Sequence, residues 1–258
     1  MDAFKNPLEK SRFESTNGPW NRLRLNDPWS VGYVSSLIVY RDFRSKEDWE
    51  AFYYQSGELR NNRLLELAEQ ERQQLNNFRL ILTHPKEVYK IDPSLRGVNT
   101  SYGRTQEQLM ERAAVLYQFM LSQGSDLSLM ECFHCVWFRT IGQTWNGIVL
   151  REKNTLQRLA DYFPDCTWKN TDGQFDHRYA VDYEMFKNGE RVAAIQIKPR
   201  SYQQGNQPYL IKAREANRRK NEAYKRLFGC EVFDIISTTD GSLLNTEVLD
   251  RMRLALQN

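Results

Sequence analysis

The sequence predicts an α/β protein: a mixed central sheet flanked by helices, behind a mostly helical N-terminal part. Three observations predict it. Residues up to about 141 read as mostly helical. After about 142 the texture changes, and strand-like runs alternate with helical stretches. A helical stretch, "YLIKAREANRRKNEAYKRLF", separates two buried strand-like runs, "RVAAIQIK" and "CEVFDIIST". A helix between two such strands implies a right-handed parallel crossover.

Each element has its own signal. "SKEDWEAFYYQSGELRNNRLLELAEQERQQLNNFRLIL" opens a helix with Ser45 as N-cap and Asp48 three residues on. "IDPSLRGVNTSYGRT" is rich in turn formers and reads as a loop. Helices follow over about 105–123 and 127–141, the first ended by Gly124. "GIVLREKNTLQRLADYF" is a helix stopped by Pro164. "CTWKNT" and "HRYAVDYEMF" alternate as strands, and "RVAAIQIK" is a third. The basic helix, the strand "CEVFDIIST" and a closing helix "NTEVLDRMRLAL" complete the order α-β-β-β-α-β-α. The expected division is 1–141, a mostly helical region, and 142–258, the sheet-bearing core.

At 258 residues the chain can bury a sizeable core, and 40% hydrophobic with 27% charged residues excludes a disordered protein. No apolar run approaches the ~18–20 residues of a membrane helix. The N-terminal "MDAFKNPLEKSRFEST" lacks a signal-peptide apolar core, so a cytoplasmic protein is expected. Cys132 and Cys135 form a lone C-x-x-C without the second pair of a zinc site, and with His134 they read as core packing.

Chemistry concentrates in "VDYEMFKNGERVAAIQIKP", residues 181–199. Side chains two apart on a strand share a face, so Gln196 and Lys198 lie together. A two-residue loop at Asn188-Gly189 would put Asp182 opposite Ile195, away from Gln196. A three-residue loop, Lys187-Asn188-Gly189 with a G1 bulge, puts Asp182 opposite Ala194. Asp182, Gln196 and Lys198 then share one face, and Val181, Tyr183, Met185, Ala193, Ile195 and Ile197 the other. That separation favours an odd-length loop, of three residues or equally of five, or a bulge around Asn188-Gly189. The Asp182 carboxylate, the Gln196 oxygen and a backbone carbonyl nearby, that of Ile197, are hard oxygen ligands suited to Mg²⁺. Lys198 orients a metal-bound water, lowers its pKa, or stabilises phosphoryl charge.

Three further features point the same way. Glu152 lies on the face of Ile148, Leu156, Leu159 and Phe163, an unusual place for a carboxylate. The following helix carries Lys212, Arg214, Arg218, Arg219, Lys220, Lys225 and Arg226, which suits a polyanionic backbone. After Lys198, "KPRSYQQGNQPY" presents Arg200, Gln203, Gln204, Asn206 and Gln207, side chains able to contact bases or phosphates, with Tyr202 and Tyr209 interleaved. In the helical region, Tyr102 and Arg104 of "TSYGRT" make a candidate recognition loop.

Asp182 followed by Gln196-Ile197-Lys198 resembles the PD-(D/E)xK nuclease superfamily, with Gln in place of Glu and Glu152 as the helix carboxylate. Pro164-Asp165 ranks below Asp182 as the metal ligand. "DYEMFKNGERVAAIQIKPRSY" and "IGQTWNGIVLREKNTLQRL" resemble MjaI-like type II restriction endonucleases. The resemblance implies a restriction-endonuclease-like αβββαβ core. It also implies a prokaryotic homodimer that cuts double-stranded DNA with Mg²⁺ (or Mn²⁺) at a short palindrome of CTAG type, alongside a separate methyltransferase. A structure-specific repair or recombination nuclease, and a non-catalytic DNA-binding protein, are the alternatives.

Overall fold

A computed structural model describes residues 2–39, 41–77, 91–206 and 208–256. The chain forms two compact units, Met1–Asn146 and Gly147–Asn258. No helix among the described residues is long and apolar enough to cross a membrane.

The first unit is built of helices. Ser45 caps the helix Lys46–Leu65, its side chain accepting from the Asp48 N–H at 3.2 Å. That helix ends sooner than its sequence pattern suggests. Ala68 turns extended, and the Glu71 carboxylate accepts the Ala68 N–H at 3.0 Å to start a new helix, Glu69–Asn76. The rest of the expected helix lies outside the described residues. The turn-rich stretch after Ile91 is also not simply a loop. Asp92 caps a helix Pro93–Thr100, with Pro93 in its first turn, where a missing N–H costs nothing. Capping boxes at Thr105 and Ser128 open Gln106–Ser122 and Leu129–Trp137. Trp49, Tyr53, Leu109, Leu116, Ile141 and Trp145 are fully buried in this unit. Cys132 and Cys135 are buried free thiols and His134 is half-buried.

The second unit holds a four-stranded mixed sheet in the order β1 (Cys166–Asn170), β2 (Tyr183–Lys187), β3 (Glu190–Lys198), β4 (Val232–Ile236). The first two pairings are antiparallel, and β3–β4 is parallel across the helix Pro208–Phe228. One face packs Met185, Ala193, Ile195 and Ile197 against Leu159 of the helix Arg151–Tyr162 and Met252 of the helix Glu247–Ala255. The other packs Val181 and Ala194 against Tyr179 and Tyr224. The sheet is therefore helix-covered on both faces, which is the predicted class. Val181 changes sides relative to expectation because the chain leaves strand geometry just ahead of β2.

The reason is a short helix, Gly173–Tyr179, where "HRYA" reads as strand. Asp172 caps it, accepting the Phe175 N–H at 2.8 Å, and Ala180 ends it in the left-handed region at φ 54°. This cap outweighs the local alternation.

Candidate active site

The hairpin β2–β3 decides where the chemical side chains go. Asn188 and Gly189 both have positive φ, 53° and 84°, and Lys187 pairs with Glu190. This is a two-residue loop with both central residues left-handed, the form that matches strand twist. The expected three-residue loop is not present. A bulge replaces it: Phe186 faces Arg191, but Met185 faces Ala193, so Val192 is the extra residue. Beyond the bulge Glu184 faces Ala194 and Tyr183 faces Ile195, which brings Asp182 level with Gln196. The odd residue that parity demands is in the strand and not in the turn.

Asp182 is fixed on all sides. Its N–H donates to the Ile195 carbonyl at 2.9 Å, and its own carbonyl accepts from Thr171 N at 3.1 Å. Its Oδ2 accepts the Ile197 N–H at 2.6 Å. The strand pattern then places one more donor atom. Ala194 N and Lys198 O bond toward the β4 side, whereas Ile195 O and Ile197 N bond toward Asp182. By that alternation the Ile197 carbonyl also points to the Asp182 side, past the last β2–β3 pair.

Glu152 and Lys198 complete the group. Glu152 sits in the first turn of its helix, whose entry is anchored by Asn154 Nδ2 donating to the Thr239 carbonyl at 2.9 Å. Gly241, at φ 83°, permits that contact, because a Cβ there would meet the Asn154 carbonyl carbon at 2.5 Å. Burial pushes the Glu152 carboxyl well above the usual range, and the Asp182 charge pushes it further. Burial likewise raises Asp182, while Lys198 and the Ile197 N–H pull it back. Among the described residues neither the Glu152 carboxylate nor the Lys198 ammonium makes an ion pair or hydrogen bond. The Lys198 Nζ lies 6.0 Å from the Tyr202 ring centre. Two repelling half-buried carboxylates beside a free ammonium are costly to fold together unless a ligand completes them.

A sequence-family model described as MjaI restriction endonuclease matches residues 16–233. The chain belongs to that family. No curated protein and no solved structure matches it. A restriction endonuclease of this family is a type II enzyme, a site-specific nuclease that acts on double-stranded DNA, and such enzymes generally use divalent metals. Among the described residues no three His, Cys, Asp or Glu side chains meet as a metal-holding group. Mg²⁺ asks for less, one or two carboxylates with several waters, and Asp182, Glu152 and the Ile197 carbonyl fit that demand.

The remaining expected residues divide. Arg200, Gln203, Gln204 and Asn206 are exposed on or beside the turn of helix Arg200–Gln204, and Gln207 and the Tyr209 side chain lie outside the described residues. Tyr202 is half-buried there, and its carbonyl accepts from Arg214 Nη1 at 2.7 Å. Arg218 and Arg219 are exposed on the basic helix. Arg104 corrects its expectation. It is 0% exposed, and its guanidinium donates to the carbonyls of Tyr102, Gly103, Trp29 and Asn99. It holds a turn together and offers nothing to DNA, and Tyr102 beside it is half-buried. Glu184, the carboxylate of β2 on this face, is committed elsewhere: it pairs with Arg191 Nε at 2.8 Å and accepts the Tyr224 hydroxyl at 2.8 Å. The sequence reading missed Asp176, whose charge raises both Glu152 and Asp182. Its signal was the capping Asp172 four residues earlier.

Proposed function

We propose that the chain is a Mg²⁺-dependent type II restriction endonuclease that hydrolyses phosphodiester bonds at a short palindrome of CTAG type, working as a homodimer in a prokaryotic cytoplasm. The observation that carries the metal reading is the Asp182 carboxylate, pinned by the Ile197 N–H with Glu152 and Lys198 around it. Asp182, Glu152 and the Ile197 carbonyl hold the ion. Bound there, Mg²⁺ supplies Lewis-acid activation of the phosphodiester. Lys198 places a positive charge where the phosphoryl group gains negative charge. Arg200, Gln203, Gln204 and Asn206 meet the DNA, and Arg218 and Arg219 meet its phosphates. The helical region, residues 1–141, serves dimerisation or recognition. A methyltransferase of the same system protects the host site without being a stable subunit. Incubating the purified protein with phage DNA and Mg²⁺, then mapping the ends, tests this. Discrete fragments with one common terminal sequence support it, and uncut DNA at every metal concentration refutes it.

A further inference from the structure

Gln196 stands where the superfamily pattern has a carboxylate, and its surroundings give the amide a direction. The side chain is 2% exposed. Its Oε1 accepts from Asn217 Nδ2 at 3.2 Å, and the same nitrogen donates to the Tyr202 hydroxyl at 3.1 Å. Asn217 is on the basic helix, and Tyr202 on the turn after Lys198. The Gln196 Nε2 donates to no acceptor among the described residues. An amide whose oxygen is occupied and whose two N–H groups are free is a donor, not a metal ligand. Across the sheet Gln196 is level with Asp182, so this free donor lies in the group that surrounds the metal position.

We propose that Gln196 donates its Nε2 hydrogens to a non-bridging oxygen of the phosphodiester, and that Asn217 is the positioning residue that sets this orientation by occupying the Gln196 oxygen. This rests on the nuclease reading above. The group transferred and the bonds broken are those of ordinary phosphodiester hydrolysis; Gln196 adds a hydrogen bond to an oxygen that gains charge in the transition state. The carboxylate that a metal ligand would require is replaced here by a neutral donor. Asp182 and Glu152 then carry all the side-chain charge offered to the ion.

Three variants separate donor from ligand. Gln196→Glu keeps the shape, adds a ligand and removes the donor. Asn217→Asp accepts only, so it turns the Gln196 nitrogen toward itself and the oxygen toward the site. Gln196→Ala removes both functions. Mn²⁺ affinity is measured by calorimetry without DNA, and kcat and KM on a cleavable duplex, with melting curves to show that each variant folds. The expected result is a fall in kcat of ten-fold or more for Gln196→Glu and Asn217→Asp at little changed KM. Mn²⁺ affinity of Gln196→Ala stays within two-fold of wild type. A Gln196→Glu protein that cuts as fast as wild type or faster overturns the proposal, as does a Gln196→Ala protein with Mn²⁺ affinity weakened beyond two-fold. A wild type that cuts no DNA with either ion sinks the nuclease reading and this inference with it. A wild type that cuts, with the variants behaving as metal-ligand losses, sinks the inference alone.

Discussion

Asp182 and Ile197 are joined across the open end of a hairpin, the carboxylate Oδ2 of one accepting the backbone N–H of the other at 2.6 Å. The bond fixes one oxygen of the carboxylate and leaves the other uncommitted. It also spans a gap where β2 no longer pairs with β3, so a side chain closes the ladder there in place of backbone. Replacing Asp182 with Ala therefore removes both the proposed metal ligand and a strand-end bond. Asp182→Asn can keep the bond through its amide oxygen but lacks the charge. Both substitutions should abolish cleavage while DNA binding, followed by gel shift without metal, survives. Lys198→Ala should lower kcat by about 10²–10⁴-fold, the usual range for a positioned proton-transfer or charge-stabilising group. Wild-type cutting by both Asp182→Ala and Lys198→Ala would remove the site assignment.

The raised Glu152 and Asp182 carboxyls set a pH dependence of stability in the metal-free protein. An acid whose folded-state pKa lies above its unfolded value binds more protons in the folded state, so stability falls as pH rises above the ordinary carboxylate range of about 4. Glu152→Gln abolishes part of that loss. Its melting temperature should exceed wild type at pH 8 by roughly 2–4 °C, the shift that ~1 kcal/mol produces in a chain of this size. At pH 4 the two should melt together. Mg²⁺ should stabilise wild type increasingly as pH rises, because its ligands must be deprotonated. A Glu152→Gln protein less stable than wild type at pH 8 contradicts the charge argument.

Arg104 should matter to folding and not to sequence choice. Arg104→Ala removes the guanidinium donor from four carbonyls, three of them buried, and opens space beside Trp29 and Asn99. A loss of on the order of 3–5 kcal/mol in urea unfolding is expected from orphaned polar groups plus the cavity. A folded Arg104→Ala protein that cuts a new sequence would restore the recognition role.

The basic helix makes a salt-dependent prediction. Arg218 and Arg219 are exposed, and among the described residues Arg218 has only a 3.8 Å pairing with Glu222 on its own helix. If each arginine neutralises one phosphate, the double Ala variant lowers the slope of log affinity against log salt by roughly 1.8, about 0.9 per contact. The loss should be similar for specific and unrelated duplexes. An unchanged slope removes this helix from the DNA interface.

The turn residue Asn188 offers a local check. At φ 53° it is in a region that costs most residues ~1–2 kcal/mol and that Asn and Gly tolerate. Asn188→Val should destabilise by about that amount and Asn188→Gly by a few tenths. Equal stability of the two variants would argue against the two-residue turn.

Much of the second unit was readable because its signals are local. Alternation along β3, Pro164 after a helical run and the apolar run of β4 each state their element directly. Parity correctly required one odd residue in the hairpin, but it could not say where. Turn twist favours Asn188-Gly189 as a pair, so the extra residue moved to Val192, which no composition rule marks. Asp176 was hidden because it stands just ahead of "HRYAVDYEMF", which reads as a strand, and the capped helix that carries it wins by a hydrogen bond that alternation does not register. Arg104 misled for a different reason. Arginines are usually exposed, and only the convergence of three carbonyls of its own turn with the distant carbonyl of Trp29 makes this one a core residue. Tyr224, which bonds Glu184 beside the nearer Arg191, and Asn217, which bonds Gln196, both come from the basic helix, 40 and 21 residues away in sequence, so nothing near either residue announces them.

The Val192 bulge imposes a counting rule on the hairpin. Between Asp182 and Gln196 the chain can gain or lose residues in twos without disturbing which side chains meet, but a single insertion or deletion reverses one arm against the other. Relatives of this chain with an altered hairpin length should therefore differ by an even number, or carry a second irregularity that restores the count. A lone deletion of Val192 would disarm the enzyme without touching any residue that contacts metal or DNA.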